Sequence, residues 1–300
     1  MKTDFELELV HNPHAVLGEG PCWVEEESRH YWTDIHGKRL FVHDTRTCEN
    51  LVFLTPFKTG WLVKHRNQGF LAGTSEGLYR LRFQPDPVWT PLLADEVDPV
   101  RLKPALRLND GIADSAGNLW FGTMNDNDHS QPEGVLYKLS PDLDLTSVDN
   151  GYFVTNGPVF LGNGMIHNDT KLRVMYRFDL DTRGVASNRQ IWKTLDESRG
   201  YPDGMTVDDE GLLWCCEFGG ACVNRYTSEG DLVAKIDLPV SQVTNCTFGG
   251  PELSWLFITT AREDFDDHDD EREPRAGSLW VVKNTGIRGR PAARFGREGS

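Results

Sequence analysis

The sequence lacks long apolar runs, helical periodicity and an excess of positive charge. No stretch approaches the ~20 apolar residues of a membrane-spanning helix, and residues 1–8 contain no apolar core of a signal peptide. We therefore expect neither a membrane-spanning helix nor a signal peptide. The net charge of −15 argues against nucleic acid or an anionic membrane as partner, because both require a basic face. These absences favour a soluble protein with a neutral or cationic ligand.

Sequence motifs of several common enzyme classes are also missing. There is no P-loop, which gives little support to a nucleotide enzyme, and no H-x-x-x-H pattern. None of the six cysteines forms a C-x-x-C pair, so a thiolate zinc site is not expected. We expect reduced, mostly buried cysteines in a cytoplasmic protein, the alternative being a bridge in an exported one. The cysteines are Cys22, Cys48, Cys215, Cys216, Cys222 and Cys246.

Short strand-like runs separated by turn residues fill most of the chain. A unit of an apolar strand, an aromatic-rich strand and a strand of the Leu-Tyr-x-Leu type recurs six times, at about 40–50 residues per repeat. This pattern predicts an all-β fold, a six-bladed β-propeller forming a single domain over residues 1–300. A β-sandwich would also show regularly spaced strands, but the length and the matched motifs favour the propeller.

The two ends of the chain have different predicted roles. The alternating run at residues 5–10 is left over from the six repeats, and we expect it to form the outer strand of the last blade and close the ring. The tail after Asn284 is rich in glycine and arginine, which predicts disorder.

Four similar motifs each place a carboxylate or amide side chain just before a glycine. They are LGEGP at residues 17–21, LNDG at 108–111, TNGP at 155–158 and PDGM at 202–205. We interpret them as loops that lead into the first strand of a blade and therefore converge on the central axis. The alternative is ordinary turn chemistry, since Asp, Asn and Gly are common where strands begin.

Converging oxygen atoms indicate a site for a hard divalent cation. Glu19, Asn156 and Asp203 offer two carboxylates and an amide oxygen, suited to Ca²⁺, Mg²⁺ or Mn²⁺, whereas Zn²⁺ usually prefers His and Cys. Asp203 would also be placed to take a proton from an attacking water. Arg107 and Asn109 provide donors and an acceptor for a polyhydroxylated ligand, although Arg107 could equally form a surface salt bridge.

Two polar insertions interrupt the repeats, at residues 125–133 in the third blade and 263–271 in the sixth. A charge run is usually a solvated loop, and the acidic second insertion fits that interpretation. The functional interpretation is a flap at the mouth of the channel.

The chain resembles the regucalcin (senescence marker protein)/gluconolactonase family of six-bladed propeller lactonases. The resemblance covers almost the whole chain and is based on the four motifs together with Arg107, Gly122-Thr123-Met124, Phe248-Gly249-Gly250 and Thr259-Thr260-Ala261-Arg262. It implies that Glu19, Asn156 and Asp203 bind one divalent metal ion and that Asp203 is the general base. It also implies that Arg107 and Asn109 contact substrate hydroxyls, with a further contact near Asn127, for which Asp126 could substitute.

The resemblance implies hydrolysis of an aldono-1,4- or 1,5-lactone, because residues 122–137 look more like the bacterial aldonolactonases than the vertebrate proteins. The expected partner is therefore a small sugar lactone, and we expect a monomer or weak homo-oligomer. Two alternatives remain open. They are a related propeller esterase or phosphotriesterase, and a non-enzymatic calcium-binding protein.

Overall fold

Six four-stranded antiparallel sheets make up the computed structural model, which describes residues 5–283 and 285–297. A single strand comes first, β1 (Leu7–His11). Blade 1 follows with β2 (Gly18–Val24), β3 (Arg29–Asp34), β4 (Arg39–Asp44) and β5 (Glu49–Leu54). Blade 2 contains β6 (Thr59–Lys64), β7 (Phe70–Thr74), β8 (Gly77–Phe83) and β9 (Pro87–Pro91). Blade 3 contains β10 (Leu106–Ala113), β11 (Leu119–Asn125), β12 (Gly134–Leu139) and β13 (Leu145–Tyr152).

The remaining blades continue in chain order. Blade 4 contains β14 (Thr155–Leu161), β15 (Gly164–Asp169), β16 (Val174–Leu180) and β17 (Ala186–Thr194). Blade 5 contains β18 (Tyr201–Val207), β19 (Leu213–Phe218), β20 (Cys222–Tyr226) and β21 (Leu232–Asp237). Blade 6 contains β22 (Val243–Gly249), β23 (Trp255–Thr260) and β24 (Leu279–Val282).

Helices are short in this fold. The α-helices are α1 (Pro99–Leu102) and α2 (Asp267–Arg272), and two 3-10 turns span Glu25–Glu27 and Pro251–Leu253. Within the described ranges, no helix has the length and apolar character needed to cross a membrane.

The N-terminal strand completes the last blade. β1 pairs antiparallel with β24, with Leu7 opposite Val282 and Glu8 opposite Val281, and blade 6 therefore has four strands in the order β22-β23-β24-β1. The predicted closing strand and the six-bladed propeller are both confirmed. The pairing joins the first strand to the last blade and removes the free edge of an open array.

The inner strands β2, β6, β10, β14, β18 and β22 form a closed ring, in which each contacts the next and β22 contacts β2. Large apolar side chains fill the space between the blades, and Trp120 and Trp214 are almost fully buried. Each indole N–H donates to an aspartate carboxylate at 2.8 Å, Trp120 to Asp114 and Trp214 to Asp208. These two buried indole nitrogens are thus satisfied, and the two tryptophans belong to the packing of the blades.

The four motifs lie inside the inner strands, not in loops before them as the sequence suggested. Each strand has an irregular register at its motif, for example between Glu19 and Cys22 in β2 and between Asn156 and Val159 in β14. Gly20 and Gly157 adopt φ values of +56° and +83° there, a conformation that glycine accepts at low cost. The motifs are therefore bulges, and a bulge redirects the neighbouring side chains.

Residues 285–297 have defined contacts, although the sequence predicts disorder after Asn284. Gly289 forms a bridge with Asp208 of blade 5, and Phe295 forms one with His65 of blade 2. Phe295 is 2% exposed and packs in an apolar cluster between blades 2 and 3. The tail thus crosses the end of the channel where the inner strands finish. Residues 284 and 298–300 lie outside the described residues.

The buried ring of Phe295 gives a test of the tail's contribution to folding. We expect Phe295→Ala to lower the free energy of unfolding by about 3 kcal/mol, because the substitution leaves a cavity in a packed cluster. Urea denaturation measures this change. The control is Leu54→Ala, since Leu54 is 81% exposed and should change stability by less than about 0.5 kcal/mol. Equal effects of the two substitutions would show that the tail does not stabilise the propeller.

Candidate functional site

A cavity of about 250 Å³ opens at the end of the channel where the inner strands begin. The structure brings five of the predicted site residues into its lining, all of them less than 9% exposed: Glu19, Arg107, Asn109, Asn156 and Asp203. These residues come from four different blades. Their meeting point therefore depends on the closed ring.

The inner strands supply the polar groups of the cavity floor, but the inner strand of blade 2 supplies no side chain to the cavity lining. At the corresponding place in β6 is Gly60, where a Cβ would lie 2.6 Å from the backbone oxygen of Asn109 and 2.7 Å from that of Leu108. Real Cβ atoms are not found so close to backbone. A side chain at Gly60 would consequently push β10 away from β6, so glycine here allows the close approach of the two strands.

The carboxylate of Glu19 is held by two donors. Asn245 Nδ2 donates to Glu19 Oε2 at 3.0 Å, and the backbone N–H of Gly20 donates to the same oxygen at 2.9 Å. Asn245 was not among the predicted site residues. It lies at the register shift of β22, as the motif residues do in their strands, but Cys246 follows it instead of glycine, so the motif signal is absent.

A chain of hydrogen bonds fixes the polar wall of the cavity. Arg107 donates to Asn109 Oδ1 at 2.5 Å, and Asn109 Nδ2 donates to Asn156 Oδ1 at 3.2 Å. Asn156 Nδ2 then donates to the hydroxyl of Thr170 at 2.8 Å. Each amide has a defined orientation as a result, and the oxygen of Asn156 faces the side of Asn109.

Asp126, and not Asn127, is the residue of the first polar insertion (125–133) that is linked to the site. Arg107 Nε donates to Asp126 Oδ1 at 2.9 Å and Lys58 Nζ to Oδ2 at 2.7 Å. The predicted ion pair of Arg107 therefore exists but is buried, not on the surface. Asn127 is exposed and absent from the cavity lining, because Asn125 binds its backbone N–H at 2.9 Å and turns the loop outward. The expected substrate contact of Asn127 has no support in this placement.

Three carboxyl groups lie close together at the axis, and those of Glu19 and Asp203 belong to buried residues. Burial, and next the charge of Asp110, raise the pKa of Glu19 from its ordinary 4.5 to about 8. Burial and then the charges of Glu19 and Asp110 raise the pKa of Asp203 well above its usual range. Burial raises the pKa of Asp110 to about 6, although the N–H groups of Gly111 and Gly157 bind its oxygens at 2.8 and 2.7 Å. Mutual repulsion in a desolvated place is the condition that a bound cation relieves.

The donor chemistry of this floor fits a hard divalent cation. Glu19 and Asp203 supply carboxylates and Asn156 an amide oxygen, which are the ligand types of Ca²⁺ and related ions. In the described part of the chain, no three His, Cys, Asp or Glu side chains are grouped as a metal site. The asparagine would thus be needed to complete a set of three protein ligands.

The rim of the cavity contains residues that were not predicted to belong to the site, although Leu17 and Met124 lie in the quoted motifs. They are Leu17, Met124, His129, Val154, Thr170, Lys171, Tyr201, Phe218 and Glu263. Tyr201 directly precedes the PDGM motif, so adjacency could have indicated it. His129 and Glu263 belong to the two polar insertions, and their charge pattern alone did not separate them from their solvated neighbours.

Comparison with known proteins matches residues 17–262 to the family model described as the SMP-30/Gluconolactonase/LRE-like region. The chain is 32% identical to pentonolactonase XacC of Haloferax volcanii, over 93% of this chain and 94% of that protein. It is 29% identical to 6-deoxy-6-sulfogluconolactonase of Pseudomonas putida, over 92% of this chain and 94% of that protein. A crystal structure of regucalcin from Agrobacterium tumefaciens, described as a calcium-binding protein, superposes with a TM-score of 0.90 at 25% identity, covering 98% of this chain and 99% of that one.

The raised pKa of Glu19 predicts how the stability of the metal-free protein depends on pH. Between pH 4.5 and about 8, this carboxyl holds a proton in the folded protein and loses it in the unfolded one. Folding stability should therefore fall as the pH rises through this interval. We expect metal-stripped protein to melt at a lower temperature at pH 8 than at pH 5, and added Ca²⁺ to raise the melting temperature more at pH 8.

Scanning calorimetry of two variants distinguishes the contribution of Glu19 to the pH dependence of the melting temperature from that of the other acidic residues. Glu19→Gln should flatten the pH dependence, whereas Glu96→Gln, at an exposed site, should leave it unchanged. Identical slopes for Glu19→Gln and the unmodified protein would rule out Glu19 as the source of the effect.

Proposed function

The chain belongs to the SMP-30/gluconolactonase/LRE-like family, and from this membership we propose that it hydrolyses a sugar lactone to the aldonic acid with the help of one divalent metal ion. The observation that carries the proposal is the pair of buried carboxylates, Glu19 and Asp203, at the floor of a polar cavity. The cavity of about 250 Å³ is suited to one small ligand such as a monosaccharide lactone.

Glu19, Asn156 and Asp203 are the residues that would hold the metal. When bound, Ca²⁺, Mg²⁺, Mn²⁺ or Zn²⁺ would polarise the lactone carbonyl and stabilise the negative charge that develops on its oxygen. The hydrogen bonds from Asn245 to Glu19 and from Asn109 to Asn156 orient two of these ligands before substrate arrives.

Asp203 is the proposed general base. Its carboxylate takes a proton from a water molecule, whose oxygen then bonds to the carbonyl carbon. The bond between that carbon and the ring oxygen breaks, and the ring oxygen receives the proton. Burial beside Glu19 and Asp110 makes the carboxylate of Asp203 more basic than one in water, which brings it closer to the range in which general bases are efficient.

Arg107 and Asn109 are the proposed contacts for substrate hydroxyls. Both are almost fully buried and line the cavity. Arg107 is held by Asp126 through Nε and by Asn109 through one terminal nitrogen, and no hydrogen bond within the described residues uses the other terminal nitrogen. A fixed fork of donors suits a ligand with several hydroxyls, such as a glucono-, xylono-, arabinono- or galactonolactone. Two similar proteins are named as lactonases of sugar acids, which supports this substrate class.

We further propose that the protein acts in the cytoplasm as a monomer or weak homo-oligomer. The structure has six free cysteines, five of them buried, as expected in a reducing compartment.

The first test is acid release from a panel of aldonolactones by metal-stripped protein, with and without added Mg²⁺, Mn²⁺, Ca²⁺ and Zn²⁺. Spontaneous hydrolysis of each lactone is subtracted. We expect metal-dependent release from one or two lactones. Faster turnover of a phosphotriester or aryl ester than of any lactone would favour the esterase alternative. Tight Ca²⁺ binding without turnover of any of these compounds would favour a calcium-binding protein.

The Asp203→Asn substitution tests the general base. We expect normal folding and a loss of lactonase activity by a factor of about 10²–10⁴, because the amide cannot accept the proton. Asp209→Asn is the matched control, since Asp209 is an exposed residue of the same blade and the chemical change is identical. Undiminished turnover by Asp203→Asn would remove Asp203 from the mechanism.

A further inference from the structure

The two polar insertions face each other across the mouth of the cavity. One lies in blade 3 and the other in blade 6, and blades three positions apart in a ring of six are on opposite sides. Each insertion contributes one titratable side chain to the cavity lining, His129 from blade 3 and Glu263 from blade 6. Glu263 is therefore on the wall opposite Arg107 and Asn109 of β10, and nothing in the proposed mechanism uses it.

Both backbone polar groups of Glu263, its N–H and its C=O, are hydrogen-bonded to the side chain of Gln242. Gln242 accepts from the N–H of Glu263 at 2.7 Å and donates through Nε2 to its C=O at 2.9 Å. The preceding residue, Arg262, donates its backbone N–H to Val16 at 3.0 Å, and its side chain pairs with Asp270 of α2. The first residue of the acidic insertion is thus held rigidly, unlike an ordinary solvated loop.

The side chain of Glu263 has one oxygen occupied and one available. Oε1 pairs with His36 Nε2 of blade 1 at 2.8 Å. Among the described residues, no hydrogen bond reaches Oε2. The bond to His36, and further the positive charge of Arg107, hold the pKa of Glu263 below its usual range despite burial. A charged, oriented carboxylate at the mouth of a cavity is a strong acceptor for a hydroxyl donor.

We propose that Glu263 is a specificity-determining residue, which accepts a hydrogen bond from a substrate hydroxyl remote from the lactone carbonyl and excludes substrates that carry an anionic group at that end. The inference depends on the proposed lactonase function and names the class of its substrate: neutral polyhydroxylated lactones. His36 is a positioning residue that acts through Glu263.

The exclusion follows from the distribution of charge beside Glu263. Glu263 is charged at the rim, and Arg107 is partly neutralised by its pairing with Asp126. The rim cation Lys171 belongs to blade 4 and not to the blade 6 wall where Glu263 lies. A phosphate or carboxylate placed beside Glu263 would meet a like charge in a partly desolvated place. Such repulsion is an effective means of discriminating between related ligands.

The test compares KM and kcat for the neutral lactone that the panel identifies and for its analogue with a terminal phosphate. Glu263→Gln should raise KM for the neutral lactone about 10-fold with little change in kcat. It should also lower the ratio of kcat/KM for the neutral lactone to kcat/KM for the anionic analogue. Glu263→Lys should reverse that preference. Glu271→Gln, an exposed substitution in the same insertion, is the matched control and should behave as the unmodified protein.

A double-mutant comparison tests the role of His36. His36→Gln should raise KM in the same direction as Glu263→Gln, and the double variant should show no further increase, because both changes disturb one contact. Additive effects would overturn the positioning role. Unchanged KM and unchanged preference in folded Glu263→Gln and Glu263→Lys would overturn the proposal, while the unmodified protein still hydrolyses the lactone. If the proposed function itself is wrong, the unmodified protein releases no acid, and the two failures are thus distinguishable.

Discussion

The register shift inside the inner strands is the constraint on which the rest of the site depends. A regular strand would alternate its side chains between the two faces of its own blade. The bulge breaks this alternation, so polar groups are redirected while the apolar residues that follow stay in the packing between blades. Ring closure then joins positions that are distant in sequence, such as Glu19 and Asn245, which are 226 residues apart.

This arrangement brings together the carboxyl groups of Glu19, Asp110 and Asp203, and the fold would be more stable if they were further apart. Three neighbouring carboxyls that repel one another cost folding free energy, and natural proteins tolerate such features mainly at functional sites. The cost is limited by backbone donors, for example those of Gly111 and Gly157 to Asp110. Around this polar axis, the tryptophan-rich interfaces between blades provide the compensating burial of apolar surface.

The parts of the molecule that repeat could be predicted, and the parts that do not repeat could not. Six strand patterns and four motifs were sufficient to predict the propeller, its closing strand and the cavity positions of Glu19, Asn156 and Asp203. The rim is different, because Glu263 is positioned by His36 and Gln242 of other segments, and no local pattern encodes such contacts. Composition was misleading for the tail, where a glycine- and arginine-rich segment is ordered by backbone pairing with Asp208 and His65.

The course of the tail has a kinetic consequence. Residues 285–297 cross the end of the channel opposite the mouth, so we expect a ligand to enter and leave the cavity on the mouth side. The ring-opened product must depart before the next molecule can bind, so the two compete for one passage. Because substrate and product would occupy the same cavity, we expect the product to inhibit competitively, and fast clearance of product downstream would sustain the flux.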